Sequence, residues 1–235
     1  MAEIDTLWVD GAYEDLDKLL SRLDAHTRQA LCLTPEFDFP YRATGANLLQ
    51  ALGDFSLVPA NLRTTRLPAA GDAPPEASVR FSYSEHKTQP RAAARAIARW
   101  MGSTAESQGF PAELPVMAAL TESAIRNLVD GDRDSAGYFQ IRVGIHGASA
   151  VETPEAQLRW FLNAAQNTPN SKRGRKEGWT VDGLKQQIQT ARTLNNQALL
   201  AYWLGAWCQD IERSAYPDRY EKNFSQAQKL LYSND

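Results

Sequence analysis

The sequence lacks the features that would place the chain in a membrane or on nucleic acid. No apolar run approaches the roughly 20 residues that a helix needs to cross a bilayer, so no membrane span is expected. The first residues, MAEIDTLWVDGAYEDLD, are acidic, whereas a secretory signal starts basic and continues apolar, so no signal peptide is expected. The formal net charge is only −3, which gives no overall attraction to nucleic acid or anionic lipid, and no nucleic-acid partner is expected.

Cysteine is also scarce. Cys32 and Cys208 are the two in the chain, and they lie far apart. Metal and redox sites need several thiol or imidazole groups at short spacing, so we expect neither a metal nor another cofactor. A single disulfide between the two is an open alternative. Two buried thiols are the main expectation, because free cysteine is among the most buried residue types.

What the chain does contain is the balance of a globular protein, with 43% hydrophobic and 23% charged residues. Residues 1–67 carry leucines at helical intervals, which predicts a small helical region suited to docking or anchoring. Residues 68–90 are rich in Pro, Ala and Gly and predict a linker, in which alternating apolar residues favour one short strand. Residues 91–235 are predicted to form the main domain.

Helical periodicity dominates this last part of the chain, so the predicted fold class is mainly α. The segment 171–178 is basic and contains glycine, and it predicts a loop. A short strand or a helix start is predicted at 138–141. The predicted helices cover residues 91–108, 111–128, 154–163, 181–212 (as one long helix or two consecutive ones) and 219–232.

One acidic residue, Glu122, stands on an apolar helix. The buried face is marked by a stripe at three- and four-residue steps, formed by Leu114, Met117, Ala118, Thr121, Ile125 and Leu128. Glu122 is four residues after Ala118 and three before Ile125, so its side chain is predicted at the edge of that face. Desolvation there disfavours the charged form of a carboxyl group, which suits a proton donor to a glycosidic oxygen. A surface helix glutamate is the alternative.

An Asp-rich turn follows this helix. Asp132 or Asp134 is predicted to face Glu122 across a cleft, where it would position a water or steady a cationic transition state. A solvated turn, in which aspartate side chains bond their own backbone, is the alternative. A calcium loop is rejected, because Ser135 occupies the place of the sharp-turn glycine and Ile141 that of the closing glutamate.

Two motifs in this region carry a family resemblance. Glu122-Ser123 and the run SAGYFQI, residues 135–141, resemble the Glu-Ser and Gly-Leu-Met-Gln signatures of soluble lytic transglycosylases and goose-type lysozymes. The longer string VMAALTESAIRNLVDGDRDSAGYFQIRVGI is similar to transglycosylase-like domains of phage tail and tape-measure proteins. The similarity extends over Arg91 to Leu231. Ala124 departs from the pattern, where glycine is common, as do the two aromatic residues that replace Leu-Met.

The resemblance implies a lysozyme-like helical domain, with a short strand or hairpin, that cleaves the β-1,4 MurNAc–GlcNAc backbone of peptidoglycan. Glu122 matches the general acid/base. A lytic transglycosylase needs this one carboxyl, because the substrate's own C6 hydroxyl attacks. A hydrolase needs a positioned water, for which Asp132 or Asp134 is the candidate, and the presence of these acids favours hydrolysis. The residues implied in substrate binding, or in holding the glutamate, are Ser123, Ser135, Gly137, Tyr138, Phe139, Gln140, Tyr216 and Tyr220.

The tail-protein resemblance also implies how the enzyme reaches its substrate. It predicts a protein made in the cytoplasm, carried in a virion tail or a contractile injection machine, and acting on the cell wall. The region 1–67 would then dock to tail or baseplate proteins. The alternative is a structural tail or baseplate component whose lysozyme-like domain binds glycan or a partner protein without turnover.

Overall fold

The computed structural model of the protein describes residues 67–84 and 88–233, and this part of the chain is mainly helical, as predicted. Apart from Leu67, the predicted N-terminal region 1–67 lies outside the described residues, and so does Cys32. Of the described residues, 187–200 belong to one compact unit and the rest to another. None of the described helices is both long and apolar enough to span a membrane.

Eight α-helices follow one another in the described residues, and short 3₁₀ turns connect some of them. The α-helices are α1 (Arg91–Ser107), α2 (Glu113–Ser123), α3 (Val143–His146), α4 (Pro154–Gln166), α5 (Lys172–Lys176), α6 (Val181–Thr193), α7 (Gln197–Glu212) and α8 (Phe224–Tyr232). The 3₁₀ turns are Pro75–Ser78, Ala148–Ala150, Pro217–Arg219 and Glu221–Asn223.

The strands form two small two-stranded pairs. The strand predicted within the linker is present as β1 (Arg80–Phe81), which runs parallel to β2 (Asn127–Leu128). Strands β3 (Ser135–Ala136) and β4 (Ile141–Arg142) are antiparallel. They form a hairpin whose turn is residues 137–140, the aromatic part of the second motif.

Helices α1, α2 and α8 pack against one another and build the core beneath the motifs. Gly109, with φ of 76°, follows the end of α1, which confirms the predicted stop. Close packing against α8 requires glycine at position 102, because a Cβ there would lie 2.5 Å from Leu231 Cδ2. Met101, Leu114 and Leu231 are fully enclosed at these contacts.

Helix α2 ends earlier than the sequence predicted. The apolar stripe predicted helix through Leu128, but α2 stops at Ser123, and the next two residues, Ala124 and Ile125, have φ of 53° and 56°. Ile125 is nevertheless 0% exposed. Its apolar character reflects burial in a left-handed turn, which periodicity alone cannot distinguish from burial on a helix.

The later part of the chain, from residue 171 to residue 212, forms three helices. The region 181–212 forms two consecutive helices, α6 and α7, which was one of the two predicted forms. The prediction of a basic loop at 171–178 is wrong, because residues 172–176 form the helix α5. Its start is stabilised by Ser171, whose hydroxyl oxygen accepts a hydrogen bond from Gly174 N.

Candidate active site

Glu122 lies in the last turn of α2 with a side chain that is 13% exposed, at the edge of the core where the spacing placed it. The Tyr220 hydroxyl donates a hydrogen bond to Glu122 Oε1 over 2.6 Å. Arg219 Nη1 lies 3.9 Å from the same oxygen. The carboxyl group is therefore oriented by a phenol and lies beside a positive charge, with a small part of its surface open.

The segment that supplies these two partners is fastened to the end of α2. Arg219 Nη2 donates to the carbonyl oxygen of Thr121 over 2.8 Å, and Asn223 Nδ2 donates to Thr121 Oγ1 over 2.9 Å. Tyr220 is 0% exposed. Burial, and then the nearby charges of Glu212 and Glu122, raise the pKa of the Tyr220 phenol far above its ordinary range. The phenol therefore stays protonated and acts as a hydrogen-bond donor.

Ser123 joins the two motifs directly. Its hydroxyl lies 3.0 Å from the carbonyl oxygen of Ala119 in α2 and 2.9 Å from that of Tyr138 in the hairpin turn. Because a hydroxyl carries one hydrogen, it donates to one of these oxygens at a time. The side chain is buried, so water does not compete for these bonds. The serine that follows the glutamate thus fixes the distance between α2 and the residues 137–140.

The two aromatic residues of this turn face inward. Tyr138 and Phe139 are both 0% exposed. Tyr138 OH donates to Ala77 O over 2.8 Å, and Phe139 stacks on Phe161 with ring centroids 4.6 Å apart. The resemblance implied that both residues belong to the turn that lines the sugar sites, and their enclosed side chains do not present a surface to a sugar. The two side chains support the turn from its core side.

The other motif residues also shape the hairpin. Ser135 is buried in β3, and Gly137 adopts φ of 78° at the turn. Gln140 has φ of 46°, and its Nε2 donates to Gly137 O over 3.2 Å. Gln140 is half-buried, so part of its side chain still faces solvent. Of the four turn residues it is the one whose side chain is open to a substrate.

The two aspartates predicted to assist Glu122 have different surroundings. Both oxygens of the Asp134 carboxylate are engaged, one by Arg142 Nε and the other by Gly144 N at 2.5 Å. The Arg142 guanidinium, and then the Gly144 amide, lower the pKa of Asp134. Asp134 is therefore tied to the hairpin, and its role as a water-positioning acid stays a prediction. Asp132 is exposed.

Tyr216 and Tyr220 were both matched loosely to a groove tyrosine, and the structure gives them different surroundings. Tyr220 is the buried partner of Glu122 described above. Tyr216 is 72% exposed. An exposed aromatic ring can stack on a sugar face, so Tyr216 keeps the substrate-binding role implied for it as a prediction.

A second carboxyl group lies near Glu122, and sequence reasoning missed it. Glu212 is the last residue of α7, and its Oε1 is buried with no hydrogen-bond partner in the described part of the chain. Burial, and then the charge of Glu122, raise the pKa of Glu212 well above its ordinary range. A signal was available: Leu204, Cys208 and Glu212 recur at four-residue steps, and the first two are 0% exposed.

The cysteine of this stripe is a structural thiol. Cys208 is buried and free, and its Sγ donates to Leu114 O over 3.3 Å, which confirms the expectation of a buried thiol at this position. Burial raises the pKa of the Cys208 thiol, so it stays protonated. Nowhere in the described residues do three or more His, Cys, Asp or Glu side chains gather as they would around a metal ion.

Comparison with known proteins does not assign the chain to a family. No family model, no curated protein and no solved structure matches the chain.

The left-handed turn after Ser123 leads to a first prediction. Ala124 is exposed and has φ of 53°, so replacing it with glycine removes backbone strain without leaving a cavity. Ala124→Gly should raise the free energy of unfolding by about 0.5–1 kcal/mol, after the greater freedom of glycine in the unfolded chain is subtracted. Urea unfolding monitored by circular dichroism measures this change.

A helical alanine supplies the matched control. Ala164 lies inside α4 and is half-buried. Ala164→Gly should lower the free energy of unfolding by about 1 kcal/mol. Equal destabilisation by both substitutions would show that Ala124 is not strained.

Proposed function

We propose that this protein cleaves the β-1,4 bond between MurNAc and GlcNAc in the peptidoglycan backbone, with Glu122 as general acid/base in a lysozyme-like domain. The proposal depends most on the Ser123 hydroxyl, which lies 2.9 Å from the Tyr138 carbonyl oxygen. This contact brings the Glu-Ser motif together with the Gly-aromatic-aromatic-Gln motif. Two short motifs are therefore parts of one site, with the acid at its edge.

The surroundings of Glu122 fit the proposed proton transfer. The Glu122 carboxyl gives its proton to the leaving oxygen as the glycosidic C–O bond breaks, and positive charge develops on the sugar ring. Tyr220, bonded at 2.6 Å, fixes the carboxyl in one orientation. The carboxylate that remains can then accept a proton from the attacking hydroxyl, which returns Glu122 to its acid form.

The nature of that hydroxyl decides between the two mechanisms. Arg142 and Gly144 each bond one oxygen of the Asp134 carboxylate, which leaves less of it free to hold a water. This supports attack by the substrate's own C6 hydroxyl and an anhydro product. Asp132 is the remaining candidate of the turn for positioning a water. Hydrolysis would give a product with an ordinary reducing end.

Digestion of purified peptidoglycan tests the proposal. The protein should release soluble muropeptides, and mass spectrometry should show that they end in anhydro-muramic acid. Reduction with borohydride before analysis distinguishes these ends from the reducing MurNAc ends of a hydrolase, because anhydro sugars are not reduced. Binding to peptidoglycan without any release, across a range of pH and salt, would instead favour the structural tail component.

For delivery, we propose a phage tail or a contractile injection machine, with a docking partner among tail or baseplate proteins. The support is the sequence resemblance to transglycosylase-like domains of tail proteins. The proposed localisation is the virion tail, and the proposed place of action is the cell wall. Detection of the protein in purified tail particles by mass spectrometry, and its absence from particle-free fractions, is the result expected.

A further inference from the structure

The helix α5 carries a concentration of positive charge that has no part in the mechanism above. Residues 172–177 include four basic side chains and one acidic side chain, a net charge of +3, whereas the formal charge of the whole chain is −3. The Nε atom of Arg173 forms an ion pair with Glu177 Oε1 over 2.7 Å. The other three basic side chains, Lys172, Arg175 and Lys176, are exposed, and we call them the basic surface.

Positive charges this close together oppose the helix that carries them. Lys172 and Lys176 are four residues apart, a spacing at which like charges destabilise a helix. A helix of 5 residues is also far too short to be stable by itself in water. The helical form of α5 must therefore depend on contacts with the rest of the chain, which a prediction from local sequence does not include.

A buried carboxylate of α7 supplies these contacts. Asp210 is 0% exposed, and its Oδ1 accepts hydrogen bonds from Ser171 N over 2.9 Å and from Ser171 Oγ over 2.6 Å. Its Oδ2 accepts from Asn170 N over 2.7 Å. A negative charge is favourable at the start of a helix, where backbone N–H groups lack helical partners. Gly174 packs so closely on the carboxylate that an added Cβ would overlap Asp210 Oδ1. The backbone of α5 is thus fixed to the core, while its basic surface faces solvent.

Contacts along one face of α7 connect α5 to the segment beside the proposed acid. Arg173 Nη2 donates to the Tyr202 hydroxyl over 3.4 Å. Gly205 lies three residues further along α7, on the same face of the helix, and a Cβ there would lie 3.1 Å from Glu221 Cβ. Glu221 follows Tyr220, the phenol that is bonded to the proposed acid. The helix α5 and the segment that orients the acid therefore lie on one face of α7, within reach of one extended substrate strand.

We propose that the basic surface binds carboxylate groups of the short peptides attached to the MurNAc units of a peptidoglycan strand. This inference rests on the proposed function, because it names the part of that substrate that lies on α5. Lysine and arginine pair with carboxylates through charge-assisted hydrogen bonds, and arginine can hold both carboxylate oxygens at once. A protein of negative net charge repels an anionic strand, so the basic surface supplies a local attraction that the net charge does not.

Sedimentation with insoluble peptidoglycan measures this binding without turnover. Glu122→Gln serves as the background protein, so that the strands stay intact during the assay. Removing the three charges of the basic surface should weaken binding by at least about fivefold at low salt, and the difference should shrink as salt screens the interaction. The triple variant consists of Lys172→Gln, Arg175→Gln and Lys176→Gln. Unchanged binding by this variant would overturn the proposal.

A second triple variant controls for the change in total charge. It removes three positive charges from exposed positions on α1, α4 and α8, and it should bind within about twofold of the background protein. Its substitutions are Arg91→Gln, Arg159→Gln and Lys229→Gln. Thermal unfolding checks that both variants are folded. Equal weakening by the two variants would also overturn the proposal, because only the total charge would then matter.

Two treatments of the peptidoglycan identify the groups that are bound. An amidase that cuts between MurNAc and its peptide removes the proposed carboxylates, and binding should then weaken by at least about fivefold. Hydrofluoric acid removes phosphate-bearing polymers attached to the glycan, and binding should not change. Undiminished binding to the peptide-free glycan would refute the proposal. A loss of binding after hydrofluoric acid would refute it as well, and would assign the basic surface to phosphate groups.

The binding assay also separates this proposal from the proposed function. Weaker binding by the first triple variant, in a protein that releases no muropeptides before Glu122 is replaced, would refute the enzyme and keep the basic surface. Release of muropeptides by a protein whose binding does not depend on the basic surface would refute the binding proposal and keep the enzyme.

Discussion

Replacing Glu122 with glutamine should lower the rate of muropeptide release by at least about 100-fold while the protein stays folded. Glutamine keeps the size of the side chain, and its carbonyl oxygen can still accept the bond that Tyr220 donates over 2.6 Å. An amide, however, has no proton to give to the leaving oxygen. The measurement is the initial rate of fragment release from purified peptidoglycan, with thermal unfolding of the same sample as the check on folding.

An exposed glutamate on another helix controls for the loss of one negative charge. Glu155 lies in the first turn of α4 and is exposed. Glu155→Gln should release muropeptides at the unmodified rate within about twofold, because solvent and salt screen an exposed surface charge. A Glu122→Gln protein that stays within a few-fold of the unmodified rate would exclude Glu122 as the acid, whatever the control shows.

The features that were predictable from sequence are those that depend on neighbouring residues. Helix α1, its stop at Gly109 and the start of α4 follow from periodicity, glycine and proline signals along the chain. The edge position of Glu122 follows from the same local spacing. The helix was predicted to run too far because Ile125 is apolar and in step with the stripe. Its left-handed conformation comes from tertiary contacts that no short window of sequence contains.

Contacts between distant residues account for the rest of the site. Tyr220 is 98 residues from Glu122 in the chain, so only a loose motif match pointed to it. Glu212 was visible as an acid on a buried stripe, but its proximity to Glu122 depends on how α7 packs on α2. Tyr138 and Phe139 show a second limit of sequence-based prediction, since the type of a residue does not reveal where its side chain lies. An aromatic ring serves equally well in a core or on a sugar, and only the folded chain shows that both rings are enclosed.

The turn that supports the acid should be sensitive to substitution at Gly137. Gly137 has φ of 78°, and a Cβ at this position would lie 2.6 Å from Gln157 Cδ. Gln157 is 0% exposed and cannot move aside freely. Its Oε1 accepts from Tyr138 N over 2.8 Å, and its Nε2 donates to Asn127 Oδ1 over 3.1 Å and to Val151 O over 3.2 Å.

Gly137→Ala should therefore lower the free energy of unfolding by about 2–5 kcal/mol, the sum of left-handed strain and a clash in a packed interior. Gly178→Ala separates the two causes, because Gly178 has φ of 69° but no atom within 4 Å of an added Cβ. That control should lose only the strain, about 1–2 kcal/mol. Urea unfolding of both variants measures the difference. Equal losses would mean that Gln157 yields to the methyl group, and that the hydrogen bonds it makes do not hold residues 137–140 in place beneath Ser123.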